Sequence, residues 1–527
     1  MDYVKKELSE KKIKNHDFCG SSLRKDSSLI HKINHATIYN FETQENMISV
    51  KYLIASLIFM FLFIGSKFGS AEELPEKPNF IVFYVDNLGY GDIGPFGSVL
   101  NRTPNLDQLG KEGTLFTHFY STSGVCSPSR SSLMTGCYPR RVNLHLSGNG
   151  GRVLRPVEPV GLNPDEISIA RSLKNLGYVT GIIGKWHLGD QKPFLPTSHG
   201  FDFYFGIPYS DDMTQEHEKE RIPNAPKLPL MRNDKVIEAP VDRDYMTQRE
   251  TGEAIKFIQD NKSQPFFLYL PQSMPGSTLA PFSSPGFKGK SKNAAWGDAV
   301  EELDWSAGEI INTLKQLGLD EKTIVIWTSD NGAPKRDPVQ GSNLPLGGWG
   351  YTTAEGGQRV PMIAWCPGVI PQGRVNKELA TTMDLYVTFT KWAGGDIPND
   401  RIIDGKDIKE LLLGSRDAKS LYEAFYYYDG PQLQAVRKGP WKLYLPLEKK
   451  IFTKGGQDIQ LFNVENDPGE TNNVIVSHSH LKSEMMAYAE KARIDLGDSD
   501  GIENRIGAGQ RPVGRVDHPV PQEMILQ

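Results

Sequence analysis

The sequence predicts an α/β fold in which a large, mixed, mostly parallel sheet is sandwiched by helices. Short apolar runs alternate along the chain with segments whose apolar residues recur every three or four positions. Strands that are apolar on both faces are typical of a parallel sheet covered by helices. Beyond about residue 405 the pattern changes to short strands separated by turn residues, which predicts a small C-terminal antiparallel-sheet subdomain.

Each element of this fold is predicted from a local pattern. The strands of the main sheet are predicted at 79–87, 178–187, 265–270, 323–332 and 359–365. Helices are predicted at 103–113, 165–177 and 298–317. The last helix is indicated by apolar residues that step by three and four from Val300 to Leu317. The C-terminal strands are predicted within AFYYYD, LQAVRKGPWKLYL and IQLFNV.

Two stretches are predicted to lie outside regular structure. The segment 215–243 is rich in charge and proline, which predicts a surface loop or insertion. The last twenty-odd residues are predicted to be poorly ordered.

The composition is that of a globular protein with room for more than one domain. The chain has 527 residues, of which 38% are apolar and 23% charged, and its formal net charge is -5. This net negative charge does not indicate nucleic-acid binding, which is typical of basic proteins with clustered Lys and Arg residues. The four cysteines have no metal-type spacing. Cys126 and Cys137 could pair, and the sequence leaves that open.

The N-terminal region carries a targeting signal. Residues 52–66 are uncharged and mostly apolar, and they stand between Lys51 and Lys67. Because a spanning helix needs about 20 apolar residues, this run favours a signal peptide over 47–71, with an uncleaved N-terminal anchor as the alternative. Export of the protein follows from either. Residues 1–46 are interpreted as a non-folding extension or a mis-assigned start, followed by a main domain at 75–405 and the C-terminal subdomain at 406–527.

Polar residues end three of the predicted strands. The strand predicted at 79–87 ends with Asp86 and Asn87, and the strand at 178–187 ends with Lys185 and His187. The strand at 323–332 ends with Asp330 and Asn331, followed by a glycine. In α/β sheets, functional residues gather beyond the carboxyl ends of the strands. A single Asp-Asn pair at the end of a strand is equally typical of a turn, because both side chains form turns readily. Two such pairs in the same sheet favour a functional site.

The segment CSPSR at 126–130 stands before a predicted helix. Pro128 suits the first turn and Ser127 the N-cap, so Cys126 is predicted at a helix N-terminus, where free amides lower a thiol pKa and attract anions. Arg130 follows one helical turn later and can share a face with the sulfur. The motif therefore indicates a nucleophile beside a clamp for an oxyanion. A buried cysteine beside a surface arginine explains these five residues alone equally well.

The wider string CSPSRSSLMTG resembles the signature C-x-P-S-R-x-x-x-x-T-G of the type I sulfatases, which belong to the alkaline-phosphatase-like superfamily. The resemblance extends over most of the chain. The other segments that carry it are PNFIVFYVDNLGYGDIGPFG, TPNLDQLGKEGTLFTHFY, GYVTGIIGKWHLG, HGFDFYFGIPYSDDM, WTSDNGAP, EGGQRVP and LFNVENDPGET. The segment GIPYS is similar to the arylsulfatase A-like branch.

The resemblance implies that Cys126 is a precursor. In this family the cysteine is oxidised to formylglycine (3-oxoalanine) by a formylglycine-generating or equivalent maturase, and the aldehyde hydrate is the nucleophile. A serine would form a stable alkyl sulfate, whereas the hydrate keeps a second hydroxyl that can collapse to the carbonyl and expel sulfate.

The resemblance also implies a divalent cation, usually Ca²⁺, held by Asp86, Asn87, Asp330 and Asn331. Oxygen donors suit such a hard cation. The first pair is commonly Asp-Asp in the family, so Asn87 removes one negative charge from the site and some affinity with it. Asp330 is also a candidate base for the nucleophile.

Three more residues match family positions. Lys185 and His187 match residues that contact the sulfate and the hydrate, and His187 could take a proton as the hydrate collapses. Alternate residues of an extended segment point the same way, so both are expected to face one pocket. Ser210 matches a serine that helps to hold the nucleophile. The remaining histidines in this region are interpreted as structural or surface residues: His145, His199 and His217.

The chain departs from the family where the leaving group would be bound. Relatives have histidines at the positions of Gln272 and Gly276, and a lysine at the position of Trp349. Three interpretations remain open: replacement by flexible-loop residues, a slow enzyme that prefers activated aryl sulfates, or a non-catalytic binder of sulfated ligands. The candidate replacements are Lys288, Lys290 and His217.

The leading functional expectation is hydrolysis of organic sulfate monoesters, either aryl sulfates or sulfated carbohydrates, to alcohol and inorganic sulfate. The alternatives are a phosphonate or phosphodiester hydrolase of the same superfamily and a sulfoglycan-binding homologue.

Overall fold

The central sheet is built from the runs that are apolar on both faces. A computed structural model of the chain describes residues 77–215, 225–500 and 503–523. The strands of the central sheet are β1 (Asn79–Val85), β2 (Thr114–Tyr120), β4 (Val179–Ile183), β5 (Phe203–Gly206), β6 (Leu230–Arg232), β7 (Lys235–Glu238), β8 (Phe266–Leu270), β9 (Thr323–Ser329), β10 (Arg359–Trp365), β11 (Arg374–Asn376) and β12 (Ala380–Thr381). The other strands are β3 (Val160–Gly161), β13 (Phe425–Asp429), β14 (Gln432–Lys438), β15 (Trp441–Tyr444), β16 (Gln460–Asn463), β17 (Gly497–Ser499), β18 (Asn504–Ile506) and β19 (Gly514–Arg515).

Nine α-helices lie within the described residues. They are α1 (Pro104–Glu112), α2 (Cys126–Thr135), α3 (Ile169–Asn175), α4 (Met246–Asp260), α5 (Ala294–Leu317), α6 (Glu355–Gln358), α7 (Asp384–Trp392), α8 (Lys409–Leu412) and α9 (His480–Asp495). Helix α3 begins later than its sequence pattern predicts, because the Ser168 hydroxyl accepts the Arg171 backbone N–H and caps the helix at that point.

The sheet is mixed and mostly parallel, as predicted. Its order is β11-β2-β10-β9-β1-β8-β4-β5-β6-β7, and β12 pairs with β2. Strands β9, β1, β8, β4 and β5 are parallel neighbours, whereas β10 is antiparallel to both β9 and β2. The carboxyl ends of the central strands therefore meet at one edge of the sheet.

Both faces of the sheet are covered. Alternate residues of β1 enter two separate apolar cores: Phe80 and Val82 face one, and Ile81 and Phe83 face the other. Helices α2, α3 and α7 contribute to the first core, and α1, α4 and α5 contribute to the second. This arrangement confirms the predicted sheet sandwiched by helices.

Two of the predictions about irregular segments are wrong. Within 225–243 the chain forms the β6–β7 hairpin, which extends the central sheet around a turn at Asn233 (φ 55°). Near the C-terminus, β19 pairs with β3, and the Val520 backbone N–H donates to the Gln191 side chain. These hydrogen bonds hold the described part of the last segment against the body of the protein.

The predicted C-terminal antiparallel sheet is present as β13-β14-β15-β16, with α9 packed on it. It joins the central sheet through a buried ion network. The Lys442 ammonium donates to Glu355 Oε1 at 3.1 Å, lies 2.9 Å from Glu470 Oε1, and stands 4.0 Å from the centre of the Tyr427 ring. All described residues belong to one compact unit.

The N-terminal predictions, 1–46 and the signal peptide 47–71, lie outside the described residues. In the part of the chain that the structure describes, no helix is both long enough and apolar enough to cross a membrane.

Candidate active site

Cys126 is the first residue of α2 and lies at the carboxyl edge of the central sheet. Val125, in extended conformation, is the N-cap, so the prediction that Ser127 caps the helix is wrong. The Ser127 hydroxyl instead accepts the backbone N–H of Leu154 at 3.1 Å and ties the helix start to a neighbouring loop. The Cys126 side chain is almost completely buried.

The two Asp-Asn pairs meet because their strands are neighbours. Val85 and Ser329 are paired residues at the ends of β1 and β9, so the residues that follow them come together. The Asn87 backbone N–H donates to Asp330 Oδ1 at 2.9 Å. The Asn331 amide donates to Asn87 Oδ1 at 2.7 Å. Asn87 has φ 62°, in the left-handed region that asparagine tolerates better than most residues.

Two buried cations face the two buried aspartates. Lys185 Nζ lies 2.7 Å from Asp86 Oδ1. Arg130 places one guanidinium nitrogen 2.9 Å from Asp86 Oδ1 and 2.7 Å from Asp330 Oδ2. Its other terminal nitrogen donates to the carbonyl oxygen of Lys185 at 3.0 Å. All four side chains are fully buried, so the cluster pairs its charges internally.

The charges in this cluster shift the pKa values of its members. Burial raises the pKa of Asp330, and the neighbouring Asp86 carboxylate raises it further. Burial also opposes ionisation of Asp86, but the charges of Lys185 and Arg130 outweigh burial and hold the pKa of Asp86 below its usual range. Positive and negative groups therefore coexist at the core of the site.

The donor set fits a divalent cation. Ligand atoms of Asp86, Cys126 and Asp330 lie within 4.8 Å of one another. The Oδ1 atom of Asn331, whose amide nitrogen donates to Asn87 Oδ1 at 2.7 Å, is also buried without a hydrogen-bond partner among the described residues. Carboxylate and amide oxygens in one small space are what a hard cation such as Ca²⁺ requires.

The Cys126 thiol does not behave as its helix position predicts. Its sulfur lies 3.7 Å from Asn87 Oδ1. Burial raises the pKa of the thiol, and the charges of Asp330 and Asp86 raise it further, so the predicted lowering by the helix N-terminus is wrong. Cys126 and Cys137 are both free, so the pairing that the sequence left open is absent.

His187 and Ser210 border the cluster in different ways. The Ser210 hydroxyl accepts from Lys185 Nζ at 3.1 Å. His187 Nε2 lies 2.9 Å from the Leu154 carbonyl oxygen, which requires Nε2 to donate and leaves Nδ1 as an acceptor. Burial and the charge of Lys185 lower the pKa of His187, so the ring is neutral. His187 has φ 61°, so the extended segment predicted to carry both side chains ends before it.

The remaining histidines lie away from this cluster or outside the described residues. His145 Nε2 pairs with Arg140 at 2.9 Å, and His199 packs against Trp186, with ring centres 5.7 Å apart. His217 lies outside the described residues.

The three residues expected from the resemblance to stand in place of two histidines and a lysine make the following contacts. The Gln272 amide donates to Ser306 on α5 at 2.9 Å. Gly276 has φ 71° and donates its backbone N–H to the Asp86 carbonyl oxygen at 3.1 Å. Trp349 lines a surface cleft of about 750 Å³.

Neither described lysine that the sequence offered as a replacement joins the cluster. Lys288 is paired with Asp244 at 3.0 Å, and Lys290 donates to the Gly286 carbonyl oxygen.

Three residues that sequence reasoning missed border the site. Ser277 Oγ accepts from Asn87 Nδ2 at 3.0 Å and lies 3.4 Å from the Tyr351 hydroxyl. Asp211, directly after Ser210, reaches toward the Ser277 backbone N–H at 3.5 Å. The position of Asp211 beside Ser210 in the sequence was a usable signal, whereas nothing local marks Ser277 or Tyr351.

Comparison with known proteins adds family information to this geometry. A family profile described as Sulfatase matches residues 78–395. A second profile, described as N-sulphoglucosamine sulphohydrolase, C-terminal, matches residues 352–493.

Individual relatives match over most of the chain. N-acetylgalactosamine-6-sulfatase of Canis lupus familiaris is 37% identical over 427 residues, covering 78% of this chain and 80% of the relative. Steryl-sulfatase of Homo sapiens is 34% identical over 461 residues, covering 73% and 79%. The solved structure of PsFucS1 sulfatase from Pseudoalteromonas sp. is similar with a TM-score of 0.70 and 29% identity, over 79% of this chain and 89% of that one.

Proposed function

The chain belongs to the sulfatase family, and we propose that it cleaves aryl sulfates or sulfated carbohydrates with a nucleophile made from Cys126. It is a sulfuric ester hydrolase, as its relatives are. The observation that carries the proposal is the position of Cys126, buried between two Asp-Asn pairs and faced by two cations. A sulfate ester has an anionic head that such cations can bind.

We propose that Cys126 is matured to formylglycine by an oxidising enzyme. The hydrate of this aldehyde supplies the nucleophilic oxygen and a second hydroxyl whose ionisation releases sulfate. Arg130 and Lys185 hold that oxygen and the sulfate head by hydrogen bonds and charge. Arg130 is fixed because its guanidinium spans both aspartates, so it offers a preorganised anion clamp.

Asp86, Asn87, Asp330 and Asn331 are proposed to hold one Ca²⁺ ion. The bound ion supplies Lewis-acid stabilisation of charge on oxygen. The chain contributes two carboxylates and two amide groups at the ends of adjacent strands. Replacement of the usual second aspartate by Asn87 leaves the site with one less negative charge, which weakens cation binding.

His187 is proposed to accept a proton late in the cycle. Its Nε2 is engaged by the Leu154 carbonyl, and its Nδ1 has no hydrogen-bond partner among the described residues. The lowered pKa keeps the ring neutral and therefore able to accept. Ser210 supports the pocket by fixing the Lys185 ammonium.

Export of the protein is also proposed. It is supported by the uncharged run at 52–66 between Lys51 and Lys67, which is shorter than a membrane-spanning helix requires.

The activity is tested with matched esters of one phenol. We expect kcat/KM for 4-nitrophenyl sulfate to exceed the values for 4-nitrophenyl phosphate and for the matching phosphonate ester. The reverse order would favour a phosphonate or phosphodiester hydrolase. Binding of sulfated sugars by the aldehyde-bearing protein, without turnover of any ester, would indicate a binding protein instead.

Removal of divalent cations is expected to lower both turnover and thermal stability, and added Ca²⁺ is expected to restore both. A bound cation is worth several kcal/mol of transition-state stabilisation, so turnover should fall by more than about 10²-fold. It also stabilises the fold by about 2.7 kcal/mol when its concentration is 100 times Kd. Chelator titration followed by activity and by thermal unfolding measures the two effects. Indifference of both to chelator would contradict the proposed ligands.

A further inference from the structure

Asp211 is a buried carboxyl group that has no role in the function proposed above. Its side chain is 1% exposed. Oδ2 has no hydrogen-bond partner among the described residues, and Oδ1 has only the distant Ser277 backbone N–H at 3.5 Å. A carboxylate buried with so little hydrogen bonding is costly, whereas a protonated carboxyl group is a donor that needs a partner. The unsatisfied carboxyl group of Asp211 is therefore available to form a hydrogen bond with a ligand.

The Asp211 carboxyl fills the space beside Gly276. A Cβ atom built on Gly276 would lie 2.8 Å from Asp211 Oδ1, closer than real Cβ atoms approach other heavy atoms. A side chain at position 276 and the present conformation of Asp211 therefore exclude each other.

This place lies next to the nucleophile cluster. The Gly276 backbone N–H donates to the Asp86 carbonyl oxygen at 3.1 Å, and Ser277 Oγ accepts from Asn87 Nδ2 at 3.0 Å. Asn87 in turn lies 3.7 Å from the Cys126 sulfur. Asn87 therefore lies between the Cys126 sulfur and Ser277, the residue whose backbone N–H faces Asp211.

We propose that Asp211, in its protonated form, donates a proton to the departing alcohol oxygen of the sulfate ester. The inference rests on the proposed function. As the nucleophile bonds to sulfur, the bond between sulfur and the alcohol oxygen breaks, and its electron pair stays on that oxygen. The Asp211 proton moves to the same oxygen, so the alcohol leaves neutral. Asp211 remains as a carboxylate and regains its proton from solvent.

The surroundings of Asp211 favour the protonated form near neutral pH. Burial raises the pKa of Asp211 to about 7. Four charged neighbours also act on this pKa: Asp212 and Asp86 raise it, and Lys185 and Arg243 lower it. A general acid works best when its pKa is close to the working pH.

The test is Asp211→Asn, which keeps the size of the side chain and removes the transferable proton. The substrates are aryl sulfates whose phenols differ in acidity. We expect kcat/KM to fall by about 10²–10⁴-fold for the least acidic phenol and by less than about tenfold for 4-nitrophenol, which leaves without help. The matched control is Asp304→Asn, at a buried carboxyl on α5 that accepts from Asn105 and Leu106 and does not act on Asp211, and any loss there should not depend on phenol acidity.

A second measurement does not depend on turnover. In the Cys126→Ala protein, infrared spectra recorded near neutral pH with and without Asp211→Asn should differ by one protonated-carboxyl band. Equal losses of kcat/KM across the aryl sulfates, or no change in the carboxyl bands, would overturn the proposal. A wild-type protein that cleaves none of these esters would contradict the proposed function, which is a separate outcome from the infrared result.

Discussion

Replacing Cys126 by alanine is expected to abolish sulfate-ester turnover while the protein remains folded. The substitution removes the atom from which the proposed nucleophile is made, so the loss should reach the level of the uncatalysed background. Alanine suits the first turn of α2, and the rest of the buried ion cluster is untouched. Turnover of 4-nitrophenyl sulfate and the thermal unfolding profile together measure the two expectations.

The matched control is Cys137→Ala, which removes a second buried free cysteine just beyond the same helix. It should keep turnover close to wild type. The mass of the wild-type peptide that contains Cys126 gives an independent check, since the proposed maturation would remove sulfur and add an aldehyde. Full turnover by the alanine variant, or an unmodified thiol in fully active protein, would contradict the covalent scheme.

Replacing Lys442 by methionine is expected to lower the free energy of unfolding by about 3–5 kcal/mol. The ammonium is fully buried between the two sheets, where it neutralises Glu355 and Glu470. Methionine fills similar volume but leaves those carboxylates facing each other. Burial opposes ionisation of Glu355, and the charge of Lys442 is the largest of those that hold its pKa at about 2. Denaturant unfolding, followed by tryptophan fluorescence, measures the change.

The control for this variant is Lys438→Met on the neighbouring strand β14. Lys438 pairs with Glu484, but both side chains are exposed. Exposed pairs are worth less than about 1 kcal/mol. A comparable destabilisation by the two substitutions would show that the buried network is not what joins the sheets.

The central sheet and the meeting of the two Asp-Asn pairs were predictable because long apolar strands and their polar ends are local patterns. Strands β1 and β9 lie side by side, so residues after each must converge. The β6–β7 hairpin was missed because β6 has only three residues, and β7 is only partly buried and carries the charged residues Lys235 and Glu238. Short mixed strands resemble loops until a neighbouring strand, here β5, is available for pairing.

The pKa values of the site residues were harder to predict from the sequence than the identity of those residues. A helix N-terminus lowers a thiol pKa, but burial and two nearby carboxylates act on Cys126 with the opposite sign, and their effect is larger. Asp211 was missed for a related reason. Its environment depends on the absent side chain at Gly276, which is distant in sequence and adjacent in space.

The burial of Cys126 sets an order of events during biosynthesis. The residue is 4% exposed once its neighbours are in place, and one of the strand ends that encloses it, after β9, belongs to a segment synthesised some 200 residues later. Any enzyme that oxidises this side chain therefore has access while the chain is still incomplete or unfolded, and loses access when β9 joins β1. Under the proposed maturation of Cys126, faster closure of the central sheet would leave more polypeptide unconverted, and the yield of active protein would depend on folding speed as well as on the amount of the oxidising enzyme.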